Sequence, residues 1–438
     1  MRRRPSLAAL LFGAGLAFSS PGRAHAEPRP QELSLSEAYE LALRTSEQVQ
    51  VAAGNRDIAD TTYTQQLTLV APSIGATLTG RYQNNAKAQP VAGVAAGLCI
   101  QAPYQVAALA TITQPIFRRQ IFDARRQAAL GIRGAEQQLA RAKQQLMLDV
   151  ATVFIGVLAA RTQVIVAQGA VQRGEQQLTA ATDKQRAGAA LLTAVLLAQI
   201  DLNRAQVSVN TAEGALKQQQ SMFERLIGVA PPSVLTLPPT PSQEALTEAM
   251  ERAPNDRPDL RALHFATLQS RALVSQLQSQ ILWPTVDVSF TGGYVVTALS
   301  SANADFRFPT YGVTGMLTIP LFQQGNEWVN VKLQKERTYL AAFNESLLRR
   351  RVGDDVRQAL ASLETANKAI EIATAQQKAA QKNYELVSLQ YKVGKALSLD
   401  VLTAQAAVFE AETNRAQSQY QRELVTYQLL FAEGKIKL

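Results

Sequence analysis

Few residues of this sequence have the types and spacing that a reactive site requires. His264 is the only histidine outside the N-terminal leader and Cys99 is the only cysteine, so no Cys/His cluster has the spacing of a metal site. The sequence contains neither a GxxxxGK[ST] phosphate loop nor a nucleophile elbow. Asp354 and Asp355 lie on a predicted helical surface, where a solvated role is expected. The sequence therefore predicts no catalytic residue, no metal and no cofactor, and disfavours an enzyme.

One acidic residue, Asp400, has a more informative setting. It lies in the stretch Leu389–Gln405, LQYKVGKALSLDVLTAQ, where Gly394 interrupts a long helical pattern that resumes at Ser398 or Leu399. Glycine is costly inside a helix and inexpensive where the backbone turns, so we predict the tip of an antiparallel helical hairpin. In the first turn of the next helix, an acid is favoured by the helix dipole. That local role is compatible with a second one, in a ring of like charges around an axis.

A weaker copy of this tip occurs earlier in the chain, at Lys184–Gln199, KQRAGAALLTAVLLAQ. Gly188 and Gly394 lie 206 residues apart, and Pro115 and Pro320 lie 205 apart. A nearly constant offset over so many residues indicates an internal repeat. Apolar residues that suit either burial between neighbouring helices or a partner-binding tip are Leu191, Leu192, Val195, Leu196 and Leu197.

The elements that position these tips are two long helical hairpins and two pairs of strands. Alternation with period two predicts strands at about 72–83 and 104–116 in the first repeat, and at about 284–296 and 310–321 in the second. The pattern from residue 118 to residue 186 is helical, which at 1.5 Å per residue gives a helix of about 100 Å. We expect Thr193 to cap the helix that follows it.

The N-terminal leader indicates export. MRRR is a positively charged start, an apolar run follows it, and Ala24-His25-Ala26 is a small-x-small cleavage site, so we predict a signal peptide over residues 1–26. Cys99 is far from that site, which argues against a lipid anchor at the new N-terminus. We divide the remaining chain into a first repeat at 27–230, a proline-rich linker at 231–258 and a second repeat at 259–438.

The charge of the chain argues against nucleic-acid binding. The formal net charge is +9, and four of the arginines responsible lie in the leader. The remaining basic residues are scattered and form no stripe with interleaved aromatic residues.

The strand pattern points to a membrane. No segment after the leader has the roughly 20 uninterrupted apolar residues of a membrane helix, whereas strands of about 10 to 13 residues suit a tilted crossing of an outer membrane. Sheet edges are not tolerated in hydrocarbon and single-chain barrels begin at eight strands, so four strands require several copies of the chain. Phe117, Trp283 and Phe322 lie at helix–strand junctions, where an interfacial aromatic belt forms. The other interpretation of the pattern is a soluble hairpin packed on helices.

The sequence resembles the TolC-type outer-membrane efflux proteins. The resemblance rests on the duplicated plan, on the QPIF and IPLF strand ends, and on YKVGKALSLDVLTAQ, which is similar to that family's tip pattern. It implies a transmembrane β domain and an α domain, in which three copies form a twelve-strand barrel continued by a helical barrel in the periplasm. It further implies a passive exit duct that docks with a periplasmic adaptor and an inner-membrane pump of RND or ABC type. Drug efflux, type I protein secretion and metal export all stay open.

The resemblance also implies roles for residues at the tips. Asp400 matches the first acidic ring of the family's periplasmic constriction, Thr403 takes the place of the second, and Tyr391 matches a tyrosine that holds the helices closed. Thr193 corresponds to a threonine that makes a contact between helices. The family's aspartate falls at Ala194.

The family's arginine in the following turn is replaced by Ala396, so most of that closing arrangement is missing. Adaptor docking is expected at Gly188, Leu191, Leu192, Gly394, Lys395 and Ala396. A rival interpretation is a periplasmic coiled-coil adaptor of the membrane-fusion type, which would be soluble or attached to the inner membrane.

Overall fold

A computed structural model of the chain describes residues 32–82, 104–238, 257–299, 304–322 and 325–436. The predicted signal peptide, Cys99 and most of the predicted linker lie outside the described residues. In the first half the elements are β1 (Glu32–Ser34), α1 (Leu35–Thr45), α2 (Glu47–Thr68), β2 (Ser73–Tyr82), β3 (Tyr104–Arg118), α3 (Arg119–Arg186), α4 (Leu192–Ile227) and β4 (Val234–Thr236). In the second half they are α5 (Pro258–Leu282), β5 (Thr285–Leu299), β6 (Ala304–Thr318), α6 (Asn326–Lys392) and α7 (Ser398–Ala432).

Two very long helices form the axis of the molecule. α3 has 68 residues and α6 has 67, so each is about 100 Å long. α2 and α4 pack along α3, while α5 and α7 pack along α6. Because α2 leads into β2 and α3 leaves β3, α2 lies beside the sheet end of α3 and α4 lies beside the far end. α3 also packs on α5 and α7, which joins the two repeats.

The two hairpin tips have the same backbone. Gly188 and Gly394 have φ angles of 71° and 77°, a left-handed conformation that glycine adopts without a side-chain penalty. The amide of Ala189 donates to the carbonyl of Lys184 at 2.8 Å, and Lys395 donates to Gln390 at 2.8 Å. Together with the bonds made by the two glycine amides, this is the Schellman arrangement that ends helices. The repeat inferred from the glycine spacing is therefore present in the backbone angles and hydrogen bonds of the two tips.

The four longer strands form one antiparallel sheet in the order β2-β3-β5-β6. The register places Ile74, Ile112, Phe290 and Val313 in one row across all four strands. The neighbouring row on the opposite face consists of Ser73, Thr113, Ser289 and Thr314. One face is thus apolar and the other carries hydroxyl groups, as a wall between lipid and water requires.

A collar packs around the middle of α3. Leu35, Ala38 and Ala42 of α1 share a buried core with Val150, Phe154 and Val157 of α3, a face repeated every three or four residues. β1 pairs in parallel with β4, residue 32 opposite residue 234. The segment after the leader is thereby tied to the end of the first repeat.

Several element boundaries differ from those expected. β6 covers Ala304–Thr318, so the IPLF residues that were expected to close the strand lie after it. The helical pattern from residue 33 to residue 69 is broken at Ser46, whose hydroxyl caps α2 by accepting from Val49. Helix α4 begins at Leu192, with Leu191 at the extended cap position, so Thr193 lies inside the first turn. Pro115 lacks an amide hydrogen, and the ladder between β3 and β5 shifts register beside it.

One helix bears on the prediction that the chain crosses the membrane by strands and not by helices. α3 contains a stretch that is long and apolar enough to cross a membrane by length and mean hydropathy. The sequence criterion of uninterrupted apolar residues did not detect it. A third of this stretch is buried within the chain, and the collar covers Val150, Phe154 and Val157 of the same helix. Packing within the chain therefore accounts for apolar residues in α3.

Candidate functional site

The tip of the second hairpin carries the acid singled out by the sequence. The Asp400 carboxylate accepts a hydrogen bond from the backbone amide of Leu397 at 2.8 Å, so it closes the first turn of α7. The side chain is nevertheless exposed, and so is that of Thr403, three residues further on the same face. The Thr403 hydroxyl donates to the carbonyl of Leu399 at 2.9 Å. Asp400 therefore has a structural contact and an accessible charge at once.

The tip of the first hairpin lacks this charge. Ala194 occupies the position of Asp400, and its amide donates to the Leu191 carbonyl at 3.0 Å. Leu191 and Leu192 are exposed, with 77% and 61% of their surface accessible. Thr193 is exposed too, and no hydrogen bond of its hydroxyl is found within the described ranges. The two tips have the same backbone conformation and differ in the side chains that they expose.

Tyr391 is held by a residue that the sequence did not single out. Its side chain is 7% exposed, and its hydroxyl is buried without a hydrogen-bond partner in the described chain. The ammonium group of Lys184 lies 3.5 Å from the centre of the ring and donates a hydrogen bond to the Tyr391 carbonyl. A lysine over an aromatic face is attractive by about 0.5–2 kcal/mol, depending on solvent access. The two hairpins are joined here by Lys184 instead of by a bond to the tyrosine hydroxyl.

Further polar contacts join α3 to α7 above this point. Arg173 and Glu412 form an ion pair at 2.9 Å, with each side chain about one-fifth exposed. The amide of Gln177 donates to Ser398 at 3.4 Å. One signal in the sequence could have indicated these contacts, namely polar residues that interrupt the apolar face of a long helix.

The junction between the sheet and the helices gathers aromatic and charged residues. The Phe117 and Trp283 rings lie 6.3 Å apart, and the Arg119 guanidinium lies 5.8 Å from the centre of the Trp283 ring. Arg118 and Asp287 form an ion pair at 2.9 Å between β3 and β5. Phe322 follows β6 and is largely exposed. Two of the three predicted interfacial aromatics thus lie together.

A buried ionic cluster stabilises the middle of the chain. Arg257, 5% exposed, contacts Asp259 at 2.7 Å and Asp355 at 2.9 Å. Burial lowers the pKa of the nearby Arg141 to about 10, against the attraction of Asp259. The Arg141 guanidinium lies 3.6 Å from the centre of the Phe431 ring. This cluster connects α3, α5 and α6 to the end of α7.

Comparison with known proteins decides the family. The model of the family described as "Outer membrane efflux protein" matches residues 38–229 and 249–434. The chain belongs to the outer membrane efflux protein family.

Relatives and solved structures agree with this assignment. The outer membrane efflux protein BepC of Brucella suis biovar 1 (strain 1330) is 23% identical over 318 residues, which cover 70% of this chain and 68% of BepC. Crystal structures of CusC give a TM-score of 0.75 at 15% identity over 91% of both chains. VceC of Vibrio cholerae gives 0.74 at 16% identity, over 91% of this chain and 96% of that one. The open state of the MtrE channel of Neisseria gonorrhoeae gives 0.67 at 20% identity, over 92% and 89%.

The family assignment confirms the predicted combination of a long-helical domain with a β domain in a duplicated chain, and it confirms the predicted location and transport role. The protein is an outer-membrane efflux channel that extends into the periplasm. The family and its solved neighbours are channel proteins, not enzymes. Neither the family model nor these relatives support the periplasmic adaptor that was considered as the alternative. Among the described residues, no group of three or more His, Cys, Asp or Glu could hold a metal ion.

Proposed function

We propose that three copies of this chain form one passive duct, which receives substrates from a periplasmic adaptor and an inner-membrane pump of RND or ABC type. The observation that carries this proposal is the open four-stranded sheet. β2 and β6 each pair on one side only among the described strands, although the sheet has an apolar face. An unpaired edge in hydrocarbon leaves several polar groups unsatisfied, and three copies would close the sheet with twelve strands.

The exposed faces of the helices support assembly of the same copies below the sheet. α4 leaves Leu196, Ile200 and Val207 exposed, and α6 leaves Tyr339, Leu340 and Phe343 exposed. An apolar stripe of this kind on a long helix is expected to be covered by a neighbouring helix. In a ring of three chains, the outer helices of one copy meet those of the next.

The wall of the proposed duct favours a broad range of substrates. Its inner face carries hydroxyl groups and small residues, with Thr111 and Thr291 hydrogen-bonded at 3.3 Å. Apart from Arg81 and Asp287 near its two ends, such a wall offers hydrogen bonds without charge, so we infer that the pump selects the substrate. The relatives' own names describe BepC as an efflux protein and MtrE as an outer membrane channel.

The tips would supply the constriction and the docking surface. We assign Asp400 and Thr403 to the narrow periplasmic end, where three copies of the acid would attract cations, and Tyr391 to the contact that keeps it closed. Adaptor docking is assigned to the exposed residues around the turns, which are Gly188, Leu191, Leu192, Gly394, Lys395 and Ala396. In this proposal the two repeats, 27–230 and 259–438, contribute alternate tips to the ring.

The assembly can be tested with the purified full chain. Native mass spectrometry in detergent should give three times the mass of the mature chain, and planar bilayers should give single-channel conductance. Val207→Asp, which places a charge on the exposed apolar stripe of α4, should dissociate the assembly. Gln206→Asp is the matched control, since that neighbouring residue is already polar and exposed. A monomer that conducts ions, or equal effects of both substitutions, would overturn the proposal.

A further inference from the structure

The first turns of α3 below the sheet carry exposed arginines. β3 ends at Arg118 and α3 begins at Arg119, so Arg126 lies about 10 Å further along the helix. Arg119 and Arg126 are exposed, and Phe122 between them is 56% exposed. Headgroup layers add roughly 5–8 Å on each side of the hydrocarbon, so Arg119 and Phe122 lie at the depth of the periplasmic headgroups. Side chains on a helix tilt toward its N-terminus, so the long Arg126 side chain can reach the headgroups from below.

In the proposed duct, the stripe of Arg119, Phe122 and Arg126 faces away from the conduit. Steps of three and four residues lead from Arg119 through Phe122 and Arg126 down to Val150 and Phe154, and such steps keep to one face where a helix is supercoiled, as in the helical barrel of the proposed duct. The collar helix α1 packs on Val150 and Phe154. A collar inside the duct would fill the passage, so it lies outside. In the proposed duct, the arginine stripe therefore faces outward too, toward lipid.

The positive charge of this region is only partly neutralised within the described chain. Residues 119–135 contain four arginines and one acid, Asp123. The Asp123 carboxylate is buried and accepts a hydrogen bond from Ser279 at 2.6 Å, with Arg119 at 3.7 Å. Within the described ranges, Arg126 forms no ion pair. The facing part of α5, residues 265–282, has one arginine and no acid.

We propose that Arg119 and Arg126, with Phe122 between them, bind the phosphate groups of anionic phospholipids in the periplasmic leaflet. A guanidinium matches a phosphate with two parallel hydrogen bonds, and an exposed phenyl ring between two such groups can enter the acyl boundary. Trp283, 5.8 Å from the Arg119 guanidinium, lies where interfacial aromatics mark the same depth. The lipid would hold each chain at a defined height in the membrane. This proposal rests on the proposed function, because the outward face is defined by the duct that three copies would form.

Lipid retention by the purified protein tests the proposal. The full chain is reconstituted in nanodiscs that contain phosphatidylglycerol and phosphatidylethanolamine, and the lipids that stay bound after extraction are counted by native mass spectrometry. The wild-type protein should retain phosphatidylglycerol in preference to phosphatidylethanolamine. The double variant Arg119→Gln, Arg126→Gln should lose this preference, by about fivefold for each arginine removed.

The matched control is the double variant Arg133→Gln, Arg271→Gln. It removes the same charge from positions that lie about 15–20 Å from the sheet ends of their helices, so its lipid preference should equal that of wild type. A heat-modifiable band on a gel verifies that each variant folds. Equal retention of both lipids by wild type, or the same loss in both double variants, would overturn the proposal. Binding of inorganic phosphate as tightly as phosphatidylglycerol would overturn it as well, because a simple anion site would then explain the binding.

Discussion

The ammonium group of Lys184 lies 3.5 Å from the centre of the Tyr391 ring, although the two residues are 207 positions apart in the chain. Lys184 lies in the last turn of α3 and Tyr391 lies in the last turn of α6. The contact therefore joins the ends of the two hairpins directly beside their tips. Any separation of the hairpins has to break it first.

Lys184→Met should loosen the tips. Methionine keeps much of the apolar stem and removes both the cation over the ring and the hydrogen bond to the Tyr391 carbonyl, a loss of about 1–3 kcal/mol. We expect open-channel events in planar bilayers to become about tenfold more frequent. Arg186→Met is the control, since Arg186 is two residues away and 75% exposed. Identical conductance of wild type and Lys184→Met would show that this contact does not restrain the tips.

Two substitutions separate the roles of Asp400. Asn keeps an acceptor for the Leu397 amide and removes the charge, while Ala removes both. Asp400→Asn should reduce cation selectivity and divalent-cation block, and should leave thermal stability close to that of wild type. Asp400→Ala should also cost about 1 kcal/mol of stability through loss of the cap. If Asp400→Asn leaves selectivity and block unchanged, the acid has only its local structural role.

Gly293 should be essential for the sheet. A Cβ atom at this position would lie 2.0 Å from the carbonyl oxygen of Ala108 and 2.9 Å from the Cα of Leu109, so β3 and β5 would be forced apart. Gly293→Ala should abolish the heat-modifiable folded form. Gly315→Ala, on β6, meets nothing within 4 Å and should fold like wild type. Normal folding of Gly293→Ala would contradict the close approach of these strands.

Glu433 should make stability depend on pH. Its side chain is 0% exposed, and neither carboxyl oxygen has a hydrogen-bond partner in the described part of the chain. Burial raises its pKa above the ordinary value of 4.5, with Lys435 opposing the rise. The folded protein thus holds this proton more tightly than the unfolded chain, so the contribution to stability is present below pH 4.5 and is lost as the pH rises through the folded pKa.

Glu433→Gln removes that dependence. We expect the variant to melt at a higher temperature than wild type at pH 8, because glutamine removes the buried negative charge while keeping the size of the side chain. The difference should shrink as the pH falls toward 4.5. Thermal melts of the detergent-solubilised protein over this pH range measure it, and Glu371→Gln, at an exposed position, is the control. A constant difference at all pH values would contradict the assignment.

Much of the fold could be predicted because the chain repeats short-range signals. Gly188 and Gly394 mark turns that depend only on neighbouring backbone groups, and alternation with period two located all four long strands. The end of β6 was placed wrongly, because the residues after Thr318 continue to alternate although the ladder stops there.

The contacts between hairpins could not be predicted in this way. Lys184 meets Tyr391 because α3 packs against α7 and brings two distant tips together, a relation that no local pattern encodes. The sequence placed Asp400 in the first turn of a helix, and its bond to the Leu397 amide agrees with that placement. Its place in a constriction depends on the other copies and stays a prediction.

The duplicated tips set the symmetry that a partner would meet. Three chains would present six nearly superposable turns, which a ring-shaped partner could grip in six equivalent ways by their backbone alone. The side chains reduce that choice, because Asp400 and Tyr391 alternate around the ring with Ala194 and Gln185. A partner that binds the backbone of the turns could therefore dock in six rotational orientations. Only three of them place the same group of the partner opposite the turns that carry Asp400.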